Sequence, residues 1–409
     1  MKIYFDNAAT TPIDREVLGA LMPYLTTFYG NPSSSHGFGR QAREAIETNR
    51  AQIGKLLNAP SEAIYFTSGA TEALNWVITA AVNAYELRHV ITSPTEHKAV
   101  LQPLRWLQKE HKIQLHYVEL DEKGQIDIGH LQELLKEFPH SLVALMHGNN
   151  EIGNLHDLEL IGRLCQAAGA LFLSDTTQTI GKYPFDLQRL PVDFLVGSGH
   201  KFHAQKGVGF VYVSPKRKIK PLLHGGGQER SLRSGTENVA AIVGIGKALE
   251  VAYQDLEAHE KSIRFVKNRL IKQLENLGIG CTFNGESASS ENSLYTLLHV
   301  AFPALKSGES LLSYLDLYGI AASGGSACSN LQATDSHVLT ALQAAPEAQH
   351  IRFSFSKYNT PGEVDYVTQS LSEIYENDRR TFHPKRLRND LNERFFEPLN
   401  VLYRHVTKI

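Results

Sequence analysis

The chain has 409 residues, 42% of them apolar, and its 41 basic and 43 acidic residues leave a formal net charge of -2. That length exceeds one ordinary core and points to two domains, while a charge field without a dominant sign excludes electrostatically driven affinity for nucleic acid or a membrane surface. No stretch is apolar and long enough to span a bilayer, and polar residues follow Met1-Lys2-Ile3-Tyr4-Phe5 at once without a signal-peptide core, so the expectation is a cytoplasmic protein acting on small molecules.

From the N-terminus, a short strand at Ile3 to Phe5 leads into Asp6-Asn7-Ala8-Ala9-Thr10-Thr11-Pro12, a small, polar loop. Asp14 reads as the N-cap of a helix over Val17 to Leu25, and a second amphipathic helix follows from about Gly39 to Leu57. Apolar strands then alternate with helices. The strands are expected near Ala63 to Thr67, His89 to Ser93, Gln114 to Leu120, Ser141 to His147, Ala170 to Ser174 and Phe194 to Ser198. The helices start near Thr71, Lys98, Asp127 and Asp157. This alternation predicts an α/β fold with a mainly parallel sheet covered by helices, whose ligands gather at the carboxyl ends of the strands.

Several polar clusters fall at those ends. Ser68-Gly69-Ala70-Thr71-Glu72 opens a helix, where free N–H groups can hold a phosphate, although the same residues make an ordinary capping turn. His97 can stack on a flat cofactor and move protons, or cap the helix it precedes. Asn149-Asn150-Glu151 can bond a phenolic oxygen or a carboxylate, or simply shape its turn. Asp175 ends the apolar run Leu171-Phe172-Leu173, so its carboxylate needs a positive partner such as a protonated pyridine nitrogen; an N-cap role competes. Lys201 ends Val196-Gly197-Ser198-Gly199-His200, where a buried ammonium is costly unless paired or consumed, as in a Schiff base with an aldehyde cofactor. In isolation it reads as a surface turn before the Gly207–Val213 hairpin.

A long, mostly helical stretch runs from Glu237 to about Leu277, after glycines at Gly225-Gly226-Gly227 and Gly235 that mark a hinge. Beyond it lies a compact α+β pattern: strands at Leu294 to Phe302 and His350 to Ser354, helices at Glu309 to Tyr318 and Glu363 to Tyr375. The expected division is 14–260 for a large domain, 1–13 with 261–377 for a small one, and 378–409 as an extension. The three cysteines, Cys165, Cys281 and Cys328, are odd in number and widely spaced, against both a disulfide framework and a thiolate metal site, so no metal is expected. Cys165 falls on a helix. Cys328 sits in the small-residue run Ala322 to Asn330, where an exposed thiol is expected.

Together these clusters resemble the cysteine desulfurases of the class V aminotransferase group, which are fold-type I pyridoxal-phosphate enzymes. The resemblance runs from Tyr4 to about Tyr375 and rests on Phe66–Glu72, Glu96–Val100, Asn149–Gly153, Ser198–Lys201, Arg233–Asn238 and Ser326–Cys328, in order. It implies that Lys201 carries pyridoxal phosphate and shuttles a proton, that Asp175 pairs with the pyridine nitrogen, that His97 stacks on the ring, and that Gln178 and Asn150 address its phenolic oxygen or nearby groups. Ala70, Thr71, Ser198 and His200 would hold the phosphate, with Thr236 contributed by the other subunit of a homodimer. Arg352 would clamp the carboxylate of L-cysteine, and Cys328 would take its sulfur as a persulfide for a sulfur-acceptor protein, in iron–sulfur or thio-cofactor biosynthesis. The thiol could be deprotonated through His97.

Three stretches depart from the family pattern: Ser329-Asn330-Leu331-Gln332 after Cys328, His203-Ala204-Gln205 after the lysine, and a basic, aromatic tail from Asp378 that lacks the family segment docking an iron–sulfur scaffold. The competing expectations are a selenocysteine lyase or another class V enzyme, a non-catalytic sulfur carrier or complex subunit, and a thiol hydrolase using Cys328. No His/Asn arrangement of suitable spacing supports the hydrolase.

Overall fold

The computed structural model describes residues 2–324 and 336–379. The chain opens on β1 (Ile3–Tyr4), α1 (Arg15–Thr26) and α2 (Gly37–Leu56). Asp14 caps α1 as its position predicts, accepting from the Glu16 N–H at 3.0 Å. Then come β2 (Ile64–Thr67), α3 (Ala70–Ala84), β3 (His89–Thr92), α4 (Lys98–Lys109), β4 (Gln114–Tyr117), α5 (Ile128–Glu137), β5 (Leu142–Ala144), α6 (Leu158–Ala168), β6 (Leu171–Asp175), β7 (Phe194–Ser198) and β8 (Gly209–Val213). Asp127 and Asp157 cap α5 and α6 through side-chain acceptors. Cys165 lies buried on α6.

Strands β2 to β8 form a seven-stranded sheet in the order β2-β8-β7-β6-β5-β3-β4. All the pairings within β3 to β7 are parallel, whereas β8 runs antiparallel to both β7 and β2. Alternate residues face two apolar layers. Phe172, Leu195, Phe210 and Tyr212 pack into one with α1, α2 and α5 to α7; Leu171, Leu173, Phe194, Val196 and Val211 pack into the other with α3 and α4. Each fully buried Phe contributes about 1.5–3 kcal/mol by leaving water. The sheet is thereby held rigid, with its strand ends as a platform.

The helical stretch after the glycines is two helices, α7 (Val239–Gln254) and α8 (Leu256–Asn276), broken at Asp255. The remaining elements are β9 (Thr282–Phe283), β10 (Leu297–Phe302), α9 (Leu311–Leu317), β11 (Ile320–Ala321), α10 (His337–Ala341), β12 (Gln349–Ser354) and α11 (Pro361–Arg379). A three-stranded antiparallel sheet orders β12-β10-β9, and β1 pairs in parallel with β11. Ile3 and Phe5 share one apolar cluster with Leu270, Leu298, Phe353 and Leu371, so the first strand joins the C-terminal half through packing. We propose two domains on this clustering, with the break at Asp255, because residue 260 lies inside α8. The expected extension falls almost wholly outside the described residues, and so does Cys328.

Candidate active site

A cleft of about 420 Å³ opens at the carboxyl ends of the parallel strands. Ten of the residues singled out in the sequence line it: Ala70, Thr71, His97, Asn150, Asp175, Gln178, Ser198, His200, Lys201 and Arg352. Thr236 does not. It is exposed on the segment before α7, and Cys328 lies outside the described residues.

Each side chain is delivered by the end of an element. At the start of α3, Gly69 has φ +155° and no side chain caps the helix, so the first N–H groups of α3 face the cleft beside Ser198. From the end of β7, the turn Gly199–Lys201 presents Lys201, whose Nζ donates to the Ala8 and Ala9 carbonyls at 2.7 and 2.8 Å. The loop after β1 therefore covers the lysine, and Gln178 Nε2 donates to the same Ala8 carbonyl at 3.0 Å. Lys182, absent from the sequence reading, reaches Gln178 Oε1 at 3.3 Å; burial first, then the Lys201 charge, brings its pKa down to about 7.

Asp175 ends β6, buried, with Oδ1 accepting from the Thr177 N–H at 2.9 Å. Next to it the buried Thr177 Oγ1 has no partner. His97 caps α4, its Nδ1 accepting from the Ala99 N–H at 3.1 Å. Burial lowers its pKa, so the ring is neutral, and with Nδ1 engaged as acceptor the proton sits on Nε2. His200 is neutral too: burial and then Lys201 bring its pKa down to about 4. Beneath His97 lies Glu96, buried, with Oε1 accepting from the Met146 N–H at 2.6 Å and Oε2 unpartnered. Burial and the nearby Asp175 charge push its carboxyl well above the usual range, which favours the protonated acid.

Arg352 comes from the middle of β12, 1% exposed, and reaches the cleft from the C-terminal half. Its Nη1 donates to the Asn150 carbonyl at 2.8 Å and its Nη2 to Asp6 Oδ1 at 2.9 Å. His337, at the start of α10, puts Nε2 2.8 Å from the Glu96 carbonyl, and Ser336 Oγ donates to Glu151 Oε2. Asp6, Glu96, Lys182 and His337 were not singled out for a role by sequence. The available signals were a carboxylate directly after β1 and a glutamate buried before His97.

The family model for aminotransferase class-V matches residues 3–367. This chain belongs to that family. Among its curated relatives are the cysteine desulfurase IscS of Dictyoglomus turgidum, 38% identical across 96% of this chain and 99% of that one, and the cysteine desulfurase IscS of Serratia proteamaculans, 41% identical across 90% and 91%. Of solved structures, a NifS-like protein superposes with a TM-score of 0.84 at 38% identity, covering 92% of this chain and all of the other. SspA in complex with cysteine gives a TM-score of 0.72 at 30% identity over 88% of this chain.

Members of this family depend on pyridoxal phosphate, and the cleft suits it chemically. An uncapped helix N-terminus with Ser198 fits a phosphate, a buried carboxylate at a strand end fits a cationic ring nitrogen, an orphaned Thr177 hydroxyl fits a polar ring substituent, and Lys201 supplies an amine for the aldehyde. A cleft built for a neutral apolar ligand would not carry this set.

Proposed function

We propose that this class V family member is a cysteine desulfurase that binds pyridoxal phosphate, converts L-cysteine to L-alanine and passes the sulfur to Cys328 for delivery to an acceptor. The observation that carries this reading is the convergence of Lys201, Asp175, His97 and Arg352 on one cleft, in a chain similar over most of its length to proteins named cysteine desulfurase. Similarity to a relative solved with cysteine supports the substrate.

Bound at Lys201, the cofactor supplies the electron sink that lets the substrate's α-carbon lose its proton. Everything else falls to side chains. Arg352 would take the substrate carboxylate through its free N–H groups. Lys201 Nζ, aimed by the Ala8 and Ala9 carbonyls, would accept and return the proton at the substrate carbons. His97 carries its proton on Nε2, so its geometry favours donation and does not favour the expected removal of a proton from Cys328. In the net reaction the substrate C–S bond breaks, an S–S bond forms at Cys328, and the carbon left behind gains a proton. Cysteine plus thiol equals alanine plus persulfide, and no outside oxidant is required. The homodimer belongs to this proposal, with Thr236 reaching the partner's cleft.

Substituting Cys328→Ser is the test. The variant should bind the cofactor and L-cysteine as the parent does, because Lys201, Asp175 and Arg352 are untouched. Sulfur transfer should fall by several orders of magnitude, about 4 kcal/mol or more in barrier, since a hydroxyl is a far poorer nucleophile near neutral pH. Parental alanine release by Cys328→Ser would remove Cys328 from the reaction.

A further inference from the structure

Arg352 does not stand alone. It forms a closed ring with Asp6 and Ser323: Nη2 donates to Asp6 Oδ1 at 2.9 Å, Ser323 Oγ donates to the same Oδ1 at 2.7 Å, and Ser323 and Arg352 exchange backbone hydrogen bonds of 2.7 and 3.2 Å. Among the described residues Asp6 is the one carboxylate in ion-pair contact with Arg352. His299, opposite on β10, brings no charge, because burial first and then His350 and Arg352 bring its pKa down to about 3. Of five guanidinium N–H groups, Asp6 and the Asn150 carbonyl engage two, and the buried Nε–H has no partner. Arg352 lines the cleft with donors beyond those that Asp6 and Asn150 engage, so a carboxylate entering there meets a guanidinium with hydrogen-bonding capacity to spare.

We propose that Asp6 is a positioning residue that sets the affinity of this clamp: it orients and neutralises Arg352 before substrate arrives, then opposes the incoming carboxylate. This rests on Arg352 being the carboxylate site. Ser323 pins Asp6 Oδ1, so Asp6 cannot withdraw, and two carboxylates come to share one guanidinium. Like charges so placed weaken binding, which keeps the amino-acid product from being held tightly.

The measurement is a spectral titration of the cofactor-bound protein with L-alanine and, as a ligand without the carboxylate, L-alaninamide. Asp6→Asn keeps an oxygen that can accept from Nη2 and Ser323 Oγ but removes the charge. L-Alanine should then bind about tenfold more tightly, the effect of deleting a like charge near the ligand, and L-alaninamide within twofold of the parent. Without ligand, Asp6→Asn should melt below the parent, and saturating L-alanine should raise its melting temperature more than it raises the parent's. Ser323→Ala, which lets Asp6 swing away, should tighten L-alanine in the same direction and keeps the test open if Asp6→Asn does not fold. Unchanged or weaker L-alanine binding in these variants overturns the role of Asp6, provided that Arg352→Gln weakens L-alanine and spares L-alaninamide. If Arg352→Gln leaves both ligands at parental affinity, the clamp reading itself falls, and the inference with it.

Discussion

Glu96 illustrates what burial does to one residue in this cleft. Its carboxyl is raised well above the ordinary range by desolvation and by Asp175, so the folded protein keeps a proton that the unfolded chain releases. The unfolded state therefore binds fewer protons above its own carboxyl pKa, and stability falls as pH rises from that value toward the raised one. Glu96→Gln removes this drain while keeping an oxygen for the Met146 N–H. Denaturant unfolding of both proteins should show the variant gaining on the parent as pH rises above the ordinary carboxylate range, with no gain below it. A stability difference independent of pH would show that Glu96 is charged in the fold. Residues of this kind were only partly legible beforehand. Asp175 stood out because an apolar strand ends on it and Lys201 because it follows one by a single turn, whereas the pairing of Asp6 with Arg352 joins positions 346 apart and leaves no local pattern.

At the scale of elements, the segment before α7 holds three consecutive left-handed residues, Glu229, Arg230 and Ser231, with φ of +45°, +57° and +66°. Each costs about 1–2 kcal/mol for a residue with a Cβ. The segment is held by Glu229, whose carboxylate accepts from Arg50 at 2.7 and 2.8 Å and from the Phe66 N–H at 2.8 Å, with both side chains of the pair almost fully buried. Glu229→Gln removes the buried counter-charge of Arg50 and leaves it only Glu47, whose side chain is 53% exposed and bonds Nε at 3.1 Å, so the expected loss is about 3 kcal/mol in chemical denaturation. A loss below about 1 kcal/mol would mean that the turn is held by other contacts. Most strands and helix starts followed from apolar runs and Asp caps. The course of Gly207–Val213 did not: the run read as a hairpin is one strand, β8, paired antiparallel to both β7 and β2, and because every residue of Gly209–Val213 is buried it lacks the alternation of a half-exposed strand. The break at Asp255 carries no Gly or Pro, so the helical pattern runs straight across it. The short β9, β11 and α10 offered too few residues for a period to show.

For the whole molecule, one chain presents the cleft but leaves Thr236 exposed outside it. If Thr236 serves a partner's phosphate site, the active species is a dimer, and light scattering of a fully active preparation should return twice the chain mass; an active monomer would contradict that assignment. No helix among the described residues is long and apolar enough to cross a membrane. The proposed reaction removes sulfur from L-cysteine in this cleft and places it on the Cys328 thiol. Incubating the cofactor-saturated protein with L-cysteine and a thiol reductant, and quantifying alanine and sulfide together, addresses it most directly. Equimolar alanine and sulfide are predicted, with one extra sulfur on the Cys328 peptide when the reductant is left out; no alanine, or alanine formed without sulfur reaching Cys328, would contradict the account.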